Sequence, residues 1–458
     1  MKKIMLLLLL GTLLASVGAI GLDESIALAR ENNKTLLMAR EQILKADQTY
    51  YDVRGNLLPH LTLNGGYKLA RTYLPDSSIF PGMDFSQGLD SLATANDHYL
   101  AGAMNGLYNG LIPSSTLDEG SLALALQFDQ ILFSGGKLIN GIKAVDRYRS
   151  IQRLNCQLVE QDVVLKTTQL FYGCLLAEKL VQVQSEGLNT ARQHLVQVEA
   201  FNREGLVSEF DLLQARLAVA KLDPQLLQAQ NTRDLALAAF RQQIGSSDET
   251  VTPEGEFTLP PKVEMTLEDA IQQGLGHRLE LELADIATEI SQLKWKAEKA
   301  NYLPNVGLQA SAALYTAADD FAIEGDDFGT SYSVGIGLSL PLFTGLSNTA
   351  KRRAAQHDYL YTKLQQQEYE DLIRLEITQN YQKLRNAEEN YRVQTENIQM
   401  AERSLHLAQV RYENQVGIQL EVFDAQTTLS AIKLQYYQAI NEVISATREL
   451  QKSIGIIL

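Results

Sequence analysis

Cysteine is scarce in this chain of 458 residues, which limits the chemistry that the chain can carry. The two cysteines, Cys156 and Cys174, lie 18 residues apart within one helical pattern. A straight helix separates such positions by about 27 Å, which excludes a disulfide between them within one protomer. The six histidines are scattered, and no cysteine or histidine cluster has the spacing of a zinc site. The sequence therefore predicts no metal site and no cofactor.

Positively charged residues and long apolar runs are also few. The chain has 40 Lys and Arg residues against 55 Asp and Glu residues, a formal net charge of −15. This balance argues against a nucleic-acid partner, which needs a basic face. The one long apolar run follows Lys2 and Lys3 and ends in small residues, which predicts a secretory signal peptide over residues 1–19. A membrane anchor is the alternative, but the run is shorter than the ~20 residues of a spanning helix.

Catalytic motifs are missing as well. The sequence contains no nucleophile elbow and no phosphate-binding loop, so no enzyme activity is predicted. Glu421 and Asp424 could suggest acid–base chemistry. Two carboxylates three residues apart, with no His or Lys partner, are however more often a solvated helix face.

What the sequence does contain is an internal repeat. The stretch "ILFSGG", Ile131 to Gly136, returns as "PLFTGL" at an offset of 210 residues. Upstream, "NLLPHLTL" from Asn56 returns as "NYLPNVGL" at an offset of 245 residues. The offsets predict two copies of one unit, residues 20–245 and 266–458, joined by a proline-containing linker at 246–265. The first copy carries 35 more residues between its two strands, which is the difference between the offsets 245 and 210.

Each copy is predicted to contain a helix, two strands, a long helix and a return helix. Alternation of apolar with small or polar residues predicts the strands, at about residues 59–70, 121–133, 304–315 and 331–343. Long polar runs, all but one of them without proline (residues 208–245 contain Pro224), and 3-4 apolar spacing in the last of them predict coiled-coil helices. These helices cover about residues 22–57, 136–202, 208–245, 266–302, 346–412 and 418–455.

The strand pattern suits a transmembrane β-strand as well as a half-buried soluble one. Four strands cannot close around a lumen, and open edges cannot face lipid, so other copies of the chain must complete a barrel. Three copies would supply twelve strands, although counting alone does not exclude two or four. The residues predicted to face outer-membrane lipid are Leu122, Leu124, Leu126, Val334, Ile336 and Leu338.

The duplicated order resembles the TolC-type outer-membrane efflux and secretion channel family. The matching stretches are the paired strand entries "NLLP" and "NYLP", the paired strand exits "LFSG" and "LFTG", and the paired turns "FNREGLVSEFDLLQA" and "RYENQVGIQLEVFDAQ". The resemblance covers essentially the whole mature chain. It implies a mainly α fold with a membrane β-barrel: a homotrimer with a twelve-stranded barrel in the outer membrane, continued by a coiled-coil α-helical barrel through the periplasm. It also implies a periplasmic adaptor protein and an inner-membrane transporter as partners.

The two helix turns carry the residues predicted to dock the adaptor. In the first turn, Gly205, Leu206 and Val207 present small and apolar groups where a solvated turn would favour charge. Gln415 and Gly417 belong to the second turn. A basic residue that some relatives carry in this turn is replaced here by Gly417.

The resemblance further implies a narrow entrance beside the second turn. Glu421 and Asp424 would line it, and Asp211 and Tyr412 would make contacts that hold it closed. In a trimer the two carboxylates would form two rings that attract cations. The alternative is that they are solvated surface acids.

The predicted function is therefore a passive, trimeric outer-membrane channel of a tripartite efflux or type I secretion system. Small, weakly polar residues on the predicted lumen face suit an unselective pore. The alternative is an exported periplasmic coiled-coil scaffold without a pore.

Overall fold

The structure is a computed structural model that describes residues 18–73, 84–90, 92–111, 116–318, 328–414 and 416–456. It is mainly helical and divides into two units. The helical unit comprises residues 1–50, 143–293 and 355–458, and the strand unit comprises residues 51–142 and 294–354. Most of the predicted signal peptide, residues 1–17, lies outside the described residues.

The elements follow the predicted order, with additional short ones. The helices are α1 (Leu22–Asn32), α2 (Lys34–Gly55), α3 (Ala95–Leu111), α4 (Lys137–Arg203), α5 (Glu209–Ile244), α6 (Leu267–His277), α7 (Leu279–Lys299), α8 (Ser347–Glu413) and α9 (Gln419–Ser453). The strands are β1 (Ala19–Ile20), β2 (His60–Tyr73), β3 (Thr116–Ser134), β4 (Thr252–Pro253), β5 (Asn305–Ala318) and β6 (Gly329–Ser339). A short 3₁₀ turn covers Ala300–Tyr302.

The strand unit contains one antiparallel sheet with the strand order β2-β3-β5-β6. Its register aligns the apolar positions across all four strands. One such row is Leu63, Leu126, Ala312 and Tyr332. Within the described residues the sheet is not closed, so β2 and β6 are its edges.

The opposite face of this sheet carries small and polar side chains. The hydroxyls of Ser311 and Ser333 lie 2.8 Å apart across β5 and β6, and Gln127 donates to Asp129 on β3 at 2.9 Å. The apolar face is open in the single chain, where Val334 is 79% exposed and Ile336 is 71% exposed. The sheet thus separates an apolar face from a small-polar face, as alternation along a strand requires.

Strands β3 and β6 are each followed by a long helix, and two residues with positive φ precede that helix. Gly135 and Gly136 have φ of 61° and 87° before α4, and Gly345 and Leu346 have φ of 60° and 68° before α8. At Gly135 a β-carbon would lie 2.8 Å from the carbonyl oxygen of Ala300. Glycine is needed there for the close approach as well as for the backbone conformation.

The prediction that the fourth strand runs to residue 343 is wrong. Strand β6 ends at Ser339, whereas the matching strand β3 continues to Ser134. The pairing within each hairpin ends at matching residues, His60 with Asp129 and Asn305 with Ser339. Strand β3 continues to Ser134 because it also pairs with β5, whereas β6 has no second neighbour within the described residues.

The two predicted leading helices are each interrupted. The predicted helix 22–57 breaks at Asn33, which has an extended backbone. The Asn33 side chain donates to the carbonyl of Gln243 at 2.9 Å and accepts from the N–H of Thr35 at 3.0 Å. Asn33 therefore caps the start of α2 and also ties it to the end of α5.

The predicted helix 266–302 breaks in the same way at Arg278. Its guanidinium donates to the carbonyl of Ser453 at 3.2 Å and binds Glu280 and Glu376 at 2.8 and 2.9 Å. Burial opposes the charge of Arg278, but the two carboxylates outweigh it and raise the pKa. The break again joins a leading helix to the end of a return helix.

Within the described residues, the helical unit has two hydrophobic cores, one among the helices of each copy of the repeat. The first contains Ile20, Ala29, Leu36, Val163, Phe171, Cys174, Phe240, Ile244 and Val251. The second contains Ala270, Ile373, Ile377, Leu384, Ala387, Val443, Ala446, Leu450 and Ile454. In the predicted linker, β4 pairs in parallel with β1, so that Ala19 lies beside Thr252.

Candidate functional site: the two helix turns

The first turn, between α4 and α5, is closed by backbone hydrogen bonds. The N–H of Leu206 donates to the carbonyl of Phe201 at 2.9 Å, and the N–H of Gly205 donates to Asn202 at 3.0 Å. This is a Schellman arrangement, which needs a left-handed residue where Gly205 has φ of 76°. The side chain of Leu206 is 61% exposed, so the turn presents an apolar group to its surroundings.

Asp211 closes the start of α5 in this single chain. Its carboxylate accepts from the backbone N–H of Ser208 at 3.0 Å and from the Ser208 hydroxyl at 2.6 Å. The Ser208 hydroxyl in turn accepts from the N–H of Asp211 at 3.2 Å. This reciprocal pair is a capping box, which satisfies two backbone donors at a helix N-terminus.

The second turn, between α8 and α9, shares the equivalent backbone hydrogen bond with the first but lacks its capping box. The N–H groups of Val416 and Gly417 both donate to the carbonyl of Arg411 at 3.0 Å. The N-cap residue Ile418 has no side-chain acceptor for the helix. Glu421 contacts Arg411 instead, with Nε to Oε2 at 3.3 Å. Gln415, one of the predicted docking residues, lies outside the described residues.

Tyr412 packs inward rather than into solvent. Its ring meets the His194 ring edge to face, with centroids 5.2 Å apart. Its hydroxyl is buried and has no hydrogen-bond partner among the described residues. Burial, and then the negative charge of Asp211, raise the pKa of Tyr412. Burial lowers the pKa of His194.

The predicted site residues thus fall into two groups. Asp211 and Tyr412 interact electrostatically, and Gly417 and Glu421 lie together in the second turn. Asp424 is exposed on the next turn of α9. Arg411 and His194 were not among the residues predicted from the sequence. A basic residue at the end of α8 facing an acid at the start of α9 was the available signal for Arg411.

A cleft of about 460 Å³ lies between α4, α5 and α9, close to both turns. Small residues such as Gly187, Ala191 and Ala215 line it, together with His194 and Gln419. The Oε1 atom of Gln419 and Nε2 of His194 are buried without a partner among the described residues.

Comparison with known proteins identifies the class of this arrangement. The sequence pattern of a family described as "Outer membrane efflux protein" matches residues 25–246 and 270–456. The chain belongs to this family. The match confirms the predicted resemblance to TolC-type channels, and this family is one of channel proteins. It also confirms the predicted location in the outer membrane, extending into the periplasm.

Individual relatives are distant in sequence. Outer membrane efflux protein BepC of Brucella suis biovar 1 (strain 1330) is 23% identical over 336 residues, 72% of each chain. Alkaline protease secretion protein AprF of Pseudomonas aeruginosa is 24% identical over 254 residues, 52% of this chain and 50% of AprF. A crystal structure of CusC has the same fold, with a TM-score of 0.74 at 17% identity, over 95% of this chain and 92% of that chain.

In the part of the chain that the structure describes, no helix is both long enough and apolar enough to cross a membrane.

Proposed function

We propose that this efflux protein is the passive outer-membrane duct of a tripartite efflux or type I secretion assembly. Three copies form the duct, their strands joined in one twelve-stranded barrel and their long helices in a periplasmic tunnel. A periplasmic adaptor docks at the helix turns, and an inner-membrane transporter supplies the energy. The chain itself conducts the substrate and catalyses no reaction.

The four-stranded sheet is the observation that carries this proposal. Its two faces differ in polarity along all four strands, and its apolar face is open in the single chain. Within the described residues its edge strands, β2 and β6, each have a neighbouring strand on one side only. In lipid an unpaired backbone group costs several kcal/mol, so an outer-membrane protein must complete such edges with another chain.

Two copies of one folding unit would make the duct quasi-symmetric. Asn33 and Arg278, at the sequence offset of 245, each bond the end of a return helix, at Gln243 and Ser453. After those ends, Gly245 and Gly455 both adopt positive φ. The matching junctions support duplication of the unit, so that three chains supply six similar modules.

The turns supply the proposed contact with the adaptor. Gly205 has open space around its missing β-carbon, and Leu206 is largely exposed beside it. A small and apolar tip can be covered by another protein without burying an unpaired charge. One relative is an efflux protein and another is a protease secretion protein, which supports efflux and protein secretion alike.

The entrance is proposed at the start of α9. Threefold symmetry would arrange Glu421 and Asp424 from each chain around one axis. Carboxylates that face a narrow lumen favour cations.

Conductance and assembly of the purified protein test the proposal together. Outer-membrane fractions should contain the chain as a trimer, and the purified trimer should conduct in a planar bilayer. Ile336→Lys, on the apolar face, should prevent assembly, whereas Ser333→Lys, on the polar face, should not. A stable trimer without conductance, recovered from the periplasm, would instead indicate the scaffold.

A further inference from the structure

The two helix turns are held by different chemistry, although they occupy matching positions in the chain. In the first turn, Ser208 and Asp211 satisfy the start of α5 within that helix. In the second turn, Ile418 cannot act as a cap, and the acid at the matching position, Glu421, bonds across the turn to α8. The second turn therefore depends on an ion pair that the first turn does not need.

Arg411 makes this ion pair with two of its nitrogen atoms. Nε lies 3.3 Å from Oε2 of Glu421, and Nη2 donates to Oε1 at 3.4 Å. Nη2 also reaches the carbonyl of Val416 at 3.5 Å. A guanidinium that meets both oxygens of a carboxylate holds its orientation as well as its charge.

Gly417 makes room for this pair. A β-carbon on Gly417 would lie 2.9 Å from Cβ of Arg411 and 3.1 Å from Oε2 of Glu421. Its φ is not in the left-handed region, so backbone conformation does not require the glycine. The matching residue of the first turn is Val207, where no such pair exists. The close approach of Arg411, whose backbone carbon would lie 3.2 Å from the β-carbon, is therefore a reason for glycine at this position, together with the carboxylate of Glu421.

We propose that Arg411 is a positioning residue that sets the charge of the entrance by holding Glu421 across the second turn. The inference rests on the proposed channel function and refines its entrance. Arg411 holds and neutralises Glu421. Of the two acids Glu421 and Asp424, only Asp424 then faces the lumen as a free charge. A trimer then presents three free carboxylates at the entrance instead of six.

The chemical consequence is a weaker attraction for cations than the sequence suggests. Each Arg411 that loses its partnership with Glu421 releases one carboxylate toward the axis. The entrance should therefore change its cation affinity when the pair is broken, even if the total charge of the protein does not change. A change in cation affinity at constant total charge would therefore come from the broken ion pair and not from the net charge.

Block by a trivalent cation in a planar bilayer tests the proposal, with Gd³⁺ added from the side of the helix turns. Arg411→Gln should lower the half-blocking concentration by roughly threefold or more, because it frees three carboxylates. Arg411→Lys, which keeps a positive charge, should stay closer to the wild type. Glu421→Gln should raise the half-blocking concentration.

Gly417→Ala is the decisive variant because it leaves the charge unchanged. Its β-carbon should push Glu421 away from Arg411 and so strengthen Gd³⁺ block in the same direction as Arg411→Gln. Val207→Ala, at the matching position of the first turn, is the control and should have no effect. Strengthened block should also disappear when Gly417→Ala is combined with Glu421→Gln. Unchanged block in Gly417→Ala, or an equal change in the Glu421→Gln background, would overturn the proposal.

Hydrogen exchange of the purified protein tests the ion pair without any conductance. In Arg411→Gln the backbone N–H groups of Val416 and Gly417 should exchange faster, while those of Gly205 and Leu206 should not. Equal exchange at the second turn in wild type and variant would contradict the pairing, whether or not the protein conducts. A wild-type protein that fails to conduct but shows the expected exchange would contradict the channel and leave the pair in place.

Discussion

A β-carbon added at Gly274 should destabilise the second core of the helical unit. Gly274 lies buried in α6, and an ideal β-carbon there would lie 2.3 Å from Cδ1 of Ile377 and 3.2 Å from the carbonyl oxygen of Ser453. Ile377 is completely buried in α8. Close-packed neighbours leave its side chain little freedom to turn away.

The magnitude follows from two opposing contributions. Inserting a carbon into a packed core costs about 1–3 kcal/mol. Replacing glycine by alanine within a helix returns up to about 1 kcal/mol. Gly276→Ala measures the second contribution alone, because no atom lies within 4 Å of the β-carbon at this exposed position of the same helix. Gly274→Ala should therefore be less stable than Gly276→Ala by about 1–3 kcal/mol.

A second substitution removes the clashing atom. Ile377→Val deletes Cδ1 and should by itself cost about 0.5–1.5 kcal/mol. In the double variant the new β-carbon would meet Cγ1 of residue 377 at 3.5 Å, which is an ordinary contact. The double variant should therefore be more stable than the two separate losses predict.

Thermal unfolding of the purified protein in detergent, followed by far-ultraviolet circular dichroism, gives the comparison. All variants should be heated at one rate, because unfolding of a large assembly can be irreversible. We expect Gly276→Ala to unfold at or above the wild-type temperature and Gly274→Ala clearly below Gly276→Ala. Equal midpoints for the two alanine variants, or a Gly274→Ala loss that Ile377→Val does not reduce, would refute this packing argument.

Further predictions concern the sheet, the turns and the long helices. Lys in place of Leu124, on the apolar face, should cost about 2–4 kcal/mol at mid-membrane and reduce the yield of trimer; a wild-type yield would contradict the lipid-facing assignment. Leu206→Glu should prevent export in cells while the trimer persists, and normal export would count against docking at the first turn. Burial lowers the pKa of His194, so the stability that it contributes should be present above its unfolded pKa of about 6.5 and decline as the pH falls below that value. Between pH 8 and pH 5, the unfolding midpoint of His194→Phe should therefore fall less than that of the wild type. Burial raises the pKa of Cys174 to about 12, so thiol reagents at pH 8 should modify Cys156 first and Cys174 only on unfolding; equal rates would show that the first core is open.

Local patterns in the sequence predicted much of the architecture. Alternation along the four strands indicated which residues share a face, and the register of the sheet places Leu63, Leu126 and Tyr332 in one row. Runs without proline indicated two long helices, and α4 and α8 each contain 67 residues. These features depend on neighbours close in the chain, because the periods of strands and helices are themselves local.

The errors arose where distant residues decide the local structure. Asn33 and Arg278 sit in uninterrupted helical patterns, yet each breaks its helix to bond a carbonyl at the end of a return helix. The end of β6 also depends on a distant partner, because β3 continues only where it pairs with β5, and β6 has no second neighbour in the described sheet.

The site shows the same division between local and distant causes. Glu421 and Asp424 share a face of α9 by spacing alone, and the resemblance to the channel family made them candidates for the entrance. Only the folded turn brings Arg411 of α8 against Glu421, because the reversal of the chain, and not the sequence interval, sets their distance of 3.3 Å. The sequence contains the charges, whereas the folded turn places Arg411 against Glu421 and leaves Asp424 exposed on the next turn of α9.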